Sequence, residues 1–151
     1  MALRTAEAYK QGLRDGRKVF IFGQPVPDVT EDPYIKVGVE TAAFDFLIGH
    51  DPKMQEIAVM NDPETGEPVS AYFEVPDYPE AVAKRHELVK ASSYYAEGAL
   101  PFIKDVGTDV INGLTAVAKI MGNETYIKRI NDYRWYCARN DLSMAGLVTD
   151  V

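Results

Sequence analysis

The chain has 151 residues, 46% hydrophobic and 26% charged; a folded domain of that length buries roughly 70% of the surface its unfolded form exposes, so a packed core is expected and a disordered tail is excluded. A net charge of −7 and a pI near 4.8 argue against nucleic acid or an anionic membrane surface as partner, because both are held through clustered Lys and Arg. The single cysteine, Cys137, excludes an intrachain disulfide, is too little for a cysteine-ligated metal or iron–sulfur centre, and suits the reducing cytosol.

The N-terminal MALRTAEAYKQGLRDG carries charges every few residues and lacks the apolar stretch of a signal peptide. No run approaches the ~18 apolar residues of a membrane span, so a cytoplasmic location is expected. Thr5 reads as the N-cap of a short, peripheral helix that Gly16 ends. KVFIFG and PVPDV then read as the strands of a small hairpin separated by Gly23-Gln24, with the prolines confining the second strand to an edge. From Pro33 the pattern becomes helical, and Val37, Val39, Phe44, Leu47 and Ile48 can share one apolar face directed at the core. Dense turn signals from Asn61 to Gly66, followed by a β-branched and aromatic run, predict an exposed loop or second hairpin. Three helical patterns follow, at about 79–98, 107–121 and 123–141. The fold class is therefore mainly α, with small β-hairpins and no linker or repeat dividing the chain. The closing LSMAGLVTDV reads as chain entering a further element.

Few residues form a catalytic pattern. His50 and His86, the two histidines, each lie among charged residues on segments expected to face solvent. Asp28/Asp32 and Glu64/Glu67 fall in turns, where carboxylates face water, so no metal site is expected. Cys137 sits in a helical pattern that favours a buried, inert thiol. Tyr126, Tyr133, Trp135 and Tyr136 have the composition to stack a planar ligand, but aromatic residues on a helix more often fill a core. No phosphate-cradling glycine loop is present. In PFIKDVGTDVING, residues 101–113, Thr108 or Asp109 is expected to cap the next helix and to leave Lys104 and Asp105 as polar groups near its positive end.

Three separated blocks, LRTAEAYKQGLRDGRKVFIFGQPVPDVTEDP, DVGTDVINGL and RNDLSMAGLVTDV, resemble the N-terminal region of the flavoenzyme superfamily that unites 4-hydroxyphenylacetate 3-hydroxylase with 4-hydroxybutyryl-CoA dehydratase. The resemblance spans essentially the whole chain. It implies the helical N-terminal domain of an acyl-CoA dehydrogenase-like architecture over residues 1–145, with 146–151 opening a central β domain. It also implies an FAD cofactor, an aromatic or acyl-CoA substrate, a separate flavin reductase and a homotetramer. In the hydroxylase branch an Arg and a Tyr grip the substrate phenol and a His assists; the aligned positions here are Val106, Val110 and Gly146. None of the three offers a side-chain hydrogen bond, so Val106 and Val110 become walls of a substrate pocket. In the dehydratase branch two cysteines ligate an iron–sulfur cluster, and their counterparts are Pro101 and Asp105. Gly146, Leu147 and Val148 are the implied flavin contacts, partly through backbone. On this basis the chain alone holds an incomplete cofactor pocket and is expected to be inactive, and to expose an apolar face that promotes self-association.

Overall fold

Helix α1, Ala6–Gly12, is opened by Thr5, whose hydroxyl accepts the N–H of Ala8 at 3.0 Å. The computed structural model describes residues 3–98 and 103–144, and within them α1 is not peripheral. Its buried Tyr9 stacks on Phe46 with ring centroids 4.6 Å apart, packing α1 onto α2, Lys36–Leu47. That contact needs small partners, and Ala42 and Ala43 supply them. The buried row of α2 runs Val39, Ala42, Ala43 and Phe46, at helical spacing. Val37 and Leu47, expected in the core, lie on the exposed side of this row. The helix also starts later than Pro33, because the Asp32 carboxylate accepts the N–H groups of Tyr34 and Ile35 and holds those residues in a preceding turn.

Between α1 and α2 lies the expected hairpin, β1 Val19–Ile21 against β2 Gln24–Val26, with Val19 opposite Val26. Its two-residue turn is Phe22-Gly23, both at positive φ, rather than Gly23-Gln24. After a 3₁₀ turn at Ile48–His50 and the single-turn helix α3, Gln55–Ala58, a second hairpin pairs β3 Val59–Asn61 with β4 Pro68–Ser70. Exposure was expected throughout this region, but only the turn is open. Val69, Ser70, Ala71, Tyr72 and Phe73 are buried, because the chain dives from β4 into a 3₁₀ turn at the centre of the molecule.

Three long helices complete the described residues: α4 Pro79–Tyr95, α5 Asp105–Ile120 and α6 Glu124–Arg139. Pro79 opens α4 at its first position, where the missing N–H costs nothing. A tight connection makes α5 and α6 a helical hairpin. Gly122, at φ 61°, donates to the Lys119 carbonyl, Asn123 donates to that of Ala118, and the Asn123 side chain then caps α6 by accepting from Tyr126. Ile111 and Ala118 bury one side of α5; Cys137 and Ala138 bury the end of α6 against Val69 and Phe73. No helix among the described residues is long and apolar enough to cross a membrane.

Candidate functional site

Among the described residues, the α5–α6 hairpin leaves one side of each helix uncovered. On α5 the residues Val110, Leu114 and Val117 recur at spacings of four and three, so they form a stripe; Tyr126, Ile130 and Tyr133 do the same on α6. Between the stripes runs an open groove of about 310 Å³, walled by Val110, Ile111, Leu114, Ile130 and Tyr133, with Gly107 and Met144 at one end and Arg129 on the rim. Val110 is 49% exposed. Val106, one turn earlier, is half-buried and lies outside the groove walls.

The end of the groove is set by a close approach of two segments. A side chain on Gly107 would overlap that of Met144 and come within 2.9 Å of its carbonyl oxygen, so only glycine admits the chain leaving α6 here. The Met144 N–H donates to the carbonyl of Ile103 at 2.7 Å. Residues 145–151, which follow, lie outside the described residues; the flavin contacts expected at Gly146, Leu147 and Val148 fall there, as does Pro101.

Beneath the start of α5 is a buried polar cluster that the sequence did not announce. Lys104, expected as a polar group near the positive end of the helix, is 1% exposed. Its ammonium lies 2.7 Å from Asp141, 3.3 Å from the carbonyl oxygen of Asp45 and 4.1 Å from the centroid of the Phe46 ring. Burial pushes its pKa down, against the opposing pull of Asp141. The Asp45 carboxylate accepts from Tyr72 and Ser92, at 3.1 and 2.8 Å, through a single oxygen. Burial raises its pKa, with the Ser92 hydrogen bond acting in the opposite direction. Neither Thr108 nor Asp109 caps α5, which begins at Asp105 with Lys104 in the cap position. Thr108 lies within the first turn and its hydroxyl donates back to the Lys104 carbonyl. Asp109 pairs with Arg85 at 2.6 Å. Two signals could have revealed the cluster: a lone Asp between Phe44 and Phe46, and a Lys inside the apolar PFIK block.

The remaining candidates disperse. His50 and His86 are exposed, and the His50 ring Nε2 lies 3.1 Å from the Arg4 carbonyl oxygen. Cys137 is fully buried, which raises its thiol pKa. Asp28 pairs with Arg14, whereas the turn carboxylate buried at Asp62 pairs with Arg139 at 2.6 Å. Of the aromatic residues of α6, only Trp135 packs against a core cluster; the tyrosines do not fill a core as expected. Tyr126, Tyr133 and Tyr136 are exposed because no described element covers that face, and Trp135 is half-buried beside the guanidinium groups of Arg134 and Arg139.

A family model described as the N-terminal part of 4-hydroxyphenylacetate 3-hydroxylase matches residues 5–151. The chain belongs to this family. Among curated relatives it is 22% identical over 152 residues to the 4-hydroxybutyryl-CoA dehydratase/vinylacetyl-CoA-Delta-isomerase of Clostridium aminobutyricum, covering 98% of this chain and 31% of that protein. It is 33% identical over 72 residues to the 4-hydroxyphenylacetate 3-monooxygenase oxygenase component of Escherichia coli, covering 47% of this chain and 14% of that one. In fold it matches the oxygenase component of a 4-hydroxyphenylacetate 3-monooxygenase crystallised with FAD, at a TM-score of 0.77 and 23% identity over 93% of this chain and 29% of that one. An archaeal 4-hydroxybutyryl-CoA dehydratase from N. maritimus matches at a TM-score of 0.76 and 19% identity, over 93% and 28%. The chain thus spans less than a third of the length of these relatives.

Proposed function

We propose that this chain forms the helical N-terminal part of a flavin-dependent oxidoreductase similar to the oxygenase component of 4-hydroxyphenylacetate 3-monooxygenase, and that the α5–α6 groove is one wall of its substrate pocket. The observation that carries the reading is the coincidence of two things. The family positions at Val106 and Val110 lie at the start of α5, and Val110 faces an open apolar groove whose end is Met144, two residues before Gly146.

The residues present suit one face of a flavin site and not the whole of it. A groove of about 310 Å³ with apolar walls and Tyr133 at its side accommodates one ring system, and Arg129 is the single cation on its lining. That is too little for the diphosphate and adenine of FAD, which would rest on protein outside residues 1–145. When bound, the flavin supplies the redox chemistry, and the chain's own task is to orient it and exclude water. Val110, Ile111, Leu114 and Ile130 would hold an apolar portion of the substrate by burial. With valine at 106 and 110, no side chain there accepts or donates a hydrogen bond to a phenol, so the preferred substrate is an aromatic or acyl group with no hydroxyl gripped at this point. Cytoplasmic location, a homotetramer, a separate flavin reductase and an acyl-CoA dehydrogenase-like arrangement, with 146–151 opening a β domain, complete the proposal.

The alternative is a dehydratase or isomerase acting on an acyl-CoA. It is favoured by the match across 98% of the chain and opposed by Pro101 and Asp105 at the positions of the cluster cysteines. The test is purification of the natural polypeptide that carries this sequence. Stoichiometric flavin without iron or sulfide, and oxygen consumption driven by a flavin reductase, are expected. Stoichiometric iron and sulfide would favour the dehydratase, and a purified protein with no affinity for FAD would leave only a catalytically inactive helical domain. Turnover of 4-hydroxyphenylacetate at the wild-type Val106/Val110 site would sink the non-phenolic substrate reading.

A further inference from the structure

Lys104 occupies an unfavourable place for a lysine. It is buried, and it sits in the cap position at the N-terminus of α5, where the helix dipole repels a cation. Removing both members of a buried ion pair is often neutral for stability or better, so burial alone does not explain this one. Its partner is constrained as well. Asp141 lies two residues beyond the last residue of α6 and next to its cap, Asn140, at φ 44°, in a helix stop closed by Asp141 N–H to the Ala138 carbonyl and Leu142 N–H to that of Cys137. Asp and Asn tolerate that left-handed conformation better than most residues. From there one carboxylate oxygen accepts from Lys104 at 2.7 Å and the other from the Arg4 N–H at 3.0 Å.

Two further contacts join the same segments: Met144 N–H to the Ile103 carbonyl, and the packing of Met144 on Gly107. The chain that leaves α6, residues 141–144, is therefore tied at three points to residues 103–107. Met144 and Gly107 also form the end of the groove.

We propose that Lys104 and Asp141 are positioning residues: their ion pair sets the register of residues 141–144 against the first turn of α5, and so fixes the end of the groove at Met144. The proposal rests on the reading of the groove as a substrate and flavin wall. The pair acts through Met144 and touches no ligand itself.

The decisive variant is Lys104→Met/Asp141→Asn in the full chain. Methionine fills the space of the lysine stem, and asparagine keeps the left-handed helix stop. Three quantities are read: the melting midpoint, amide exchange residue by residue, and FAD affinity by quenching of flavin fluorescence. We expect the midpoint to stay within roughly 4 °C of wild type, the Met144 amide to exchange about tenfold faster while amides inside α5 and α6 keep their protection, and FAD to bind about tenfold more weakly. An unchanged Met144 amide overturns the proposal, as does a uniform rise in exchange with a large fall in the midpoint, which would make the pair merely structural. A loosened Met144 with unaltered FAD affinity overturns it too. If wild type itself binds no FAD, a selectively loosened Met144 still supports the register role, and it is the flavin reading that falls.

Discussion

The interior around Phe46 and the outer face of the α5–α6 hairpin are built from similar residues to opposite ends. Phe46 is 1% exposed, stacked on Tyr9 and beneath the Lys104 ammonium, so its ring is enclosed by aromatic, aliphatic and charged neighbours at once. Val110, Leu114, Val117 and Ile120 are as apolar, yet they stand open beside exposed tyrosines, Ile120 at 86%. In the first region every buried ionic group except one oxygen of Asp45 has a partner; in the second there is almost nothing polar to satisfy. A contiguous open apolar face of this kind marks a surface meant to meet something. The difference teaches that stability and recognition are housed separately in this fold, with Lys104 and Asp141 where the two meet.

Substitutions should separate the regions in order of size. Lys104→Met alone, which leaves the Asp141 carboxylate buried without its cation, is expected to cost about 4 kcal/mol in chemical denaturation. That is more than the double variant with Asp141→Asn, and a single variant as stable as the double would break the comparison. Phe46→Ala should lose about 3–4 kcal/mol through the cavity it leaves, whereas Leu114→Ala, on the open stripe, should lose less than about 1 kcal/mol. Equal losses in the two would show that the groove is covered in solution. Gly107→Ala should cost about 1–3 kcal/mol by forcing Met144 away, and it should change the groove's affinity for ligand by more than Leu114→Ala changes stability.

The smallest effect is expected at the solvent-exposed Arg14–Asp28 pair. The hydrogen bond from Arg14, followed by those from Thr30, holds the Asp28 carboxyl down to about 2, against about 3.9 for a free aspartate. Between those values the unfolded chain binds more protons than the folded one. The contribution is therefore complete above about pH 4 and is lost as pH falls toward 2. Arg14→Met should flatten that part of the melting midpoint's pH profile and leave neutral pH nearly unchanged; an unaltered acid limb would remove Asp28 as its source.

Much of the local structure was legible in advance. Thr5 was expected to cap α1 and does, and the helices expected from about 79 and 123 start there, where the structure puts Pro79 at the first position of α4 and the Asn123 side chain at the cap of α6. The hairpins were equally local, although the first turn slipped by one residue to Phe22-Gly23. The family blocks pointed to the start of α5, where Val110 lines a groove and Val106 does not.

What the sequence determined by itself, then, was the five longer helices, the first hairpin and the family they compose, because caps, turns and periodicity act over a few residues of backbone; the single turn α3 and the pairing of the second hairpin were not among them. Which side of each element is inside was decided only by the tertiary structure. Val37 and Val39 differ by two positions on one helix, yet Val39 meets α1 and Val37 meets water. The pairing of Lys104 with Asp141, 37 residues apart, depends on where α6 stops and how closely Gly107 lets the chain pass. A buried charge is tolerable only where its partner is brought to it, and no window of sequence contains both.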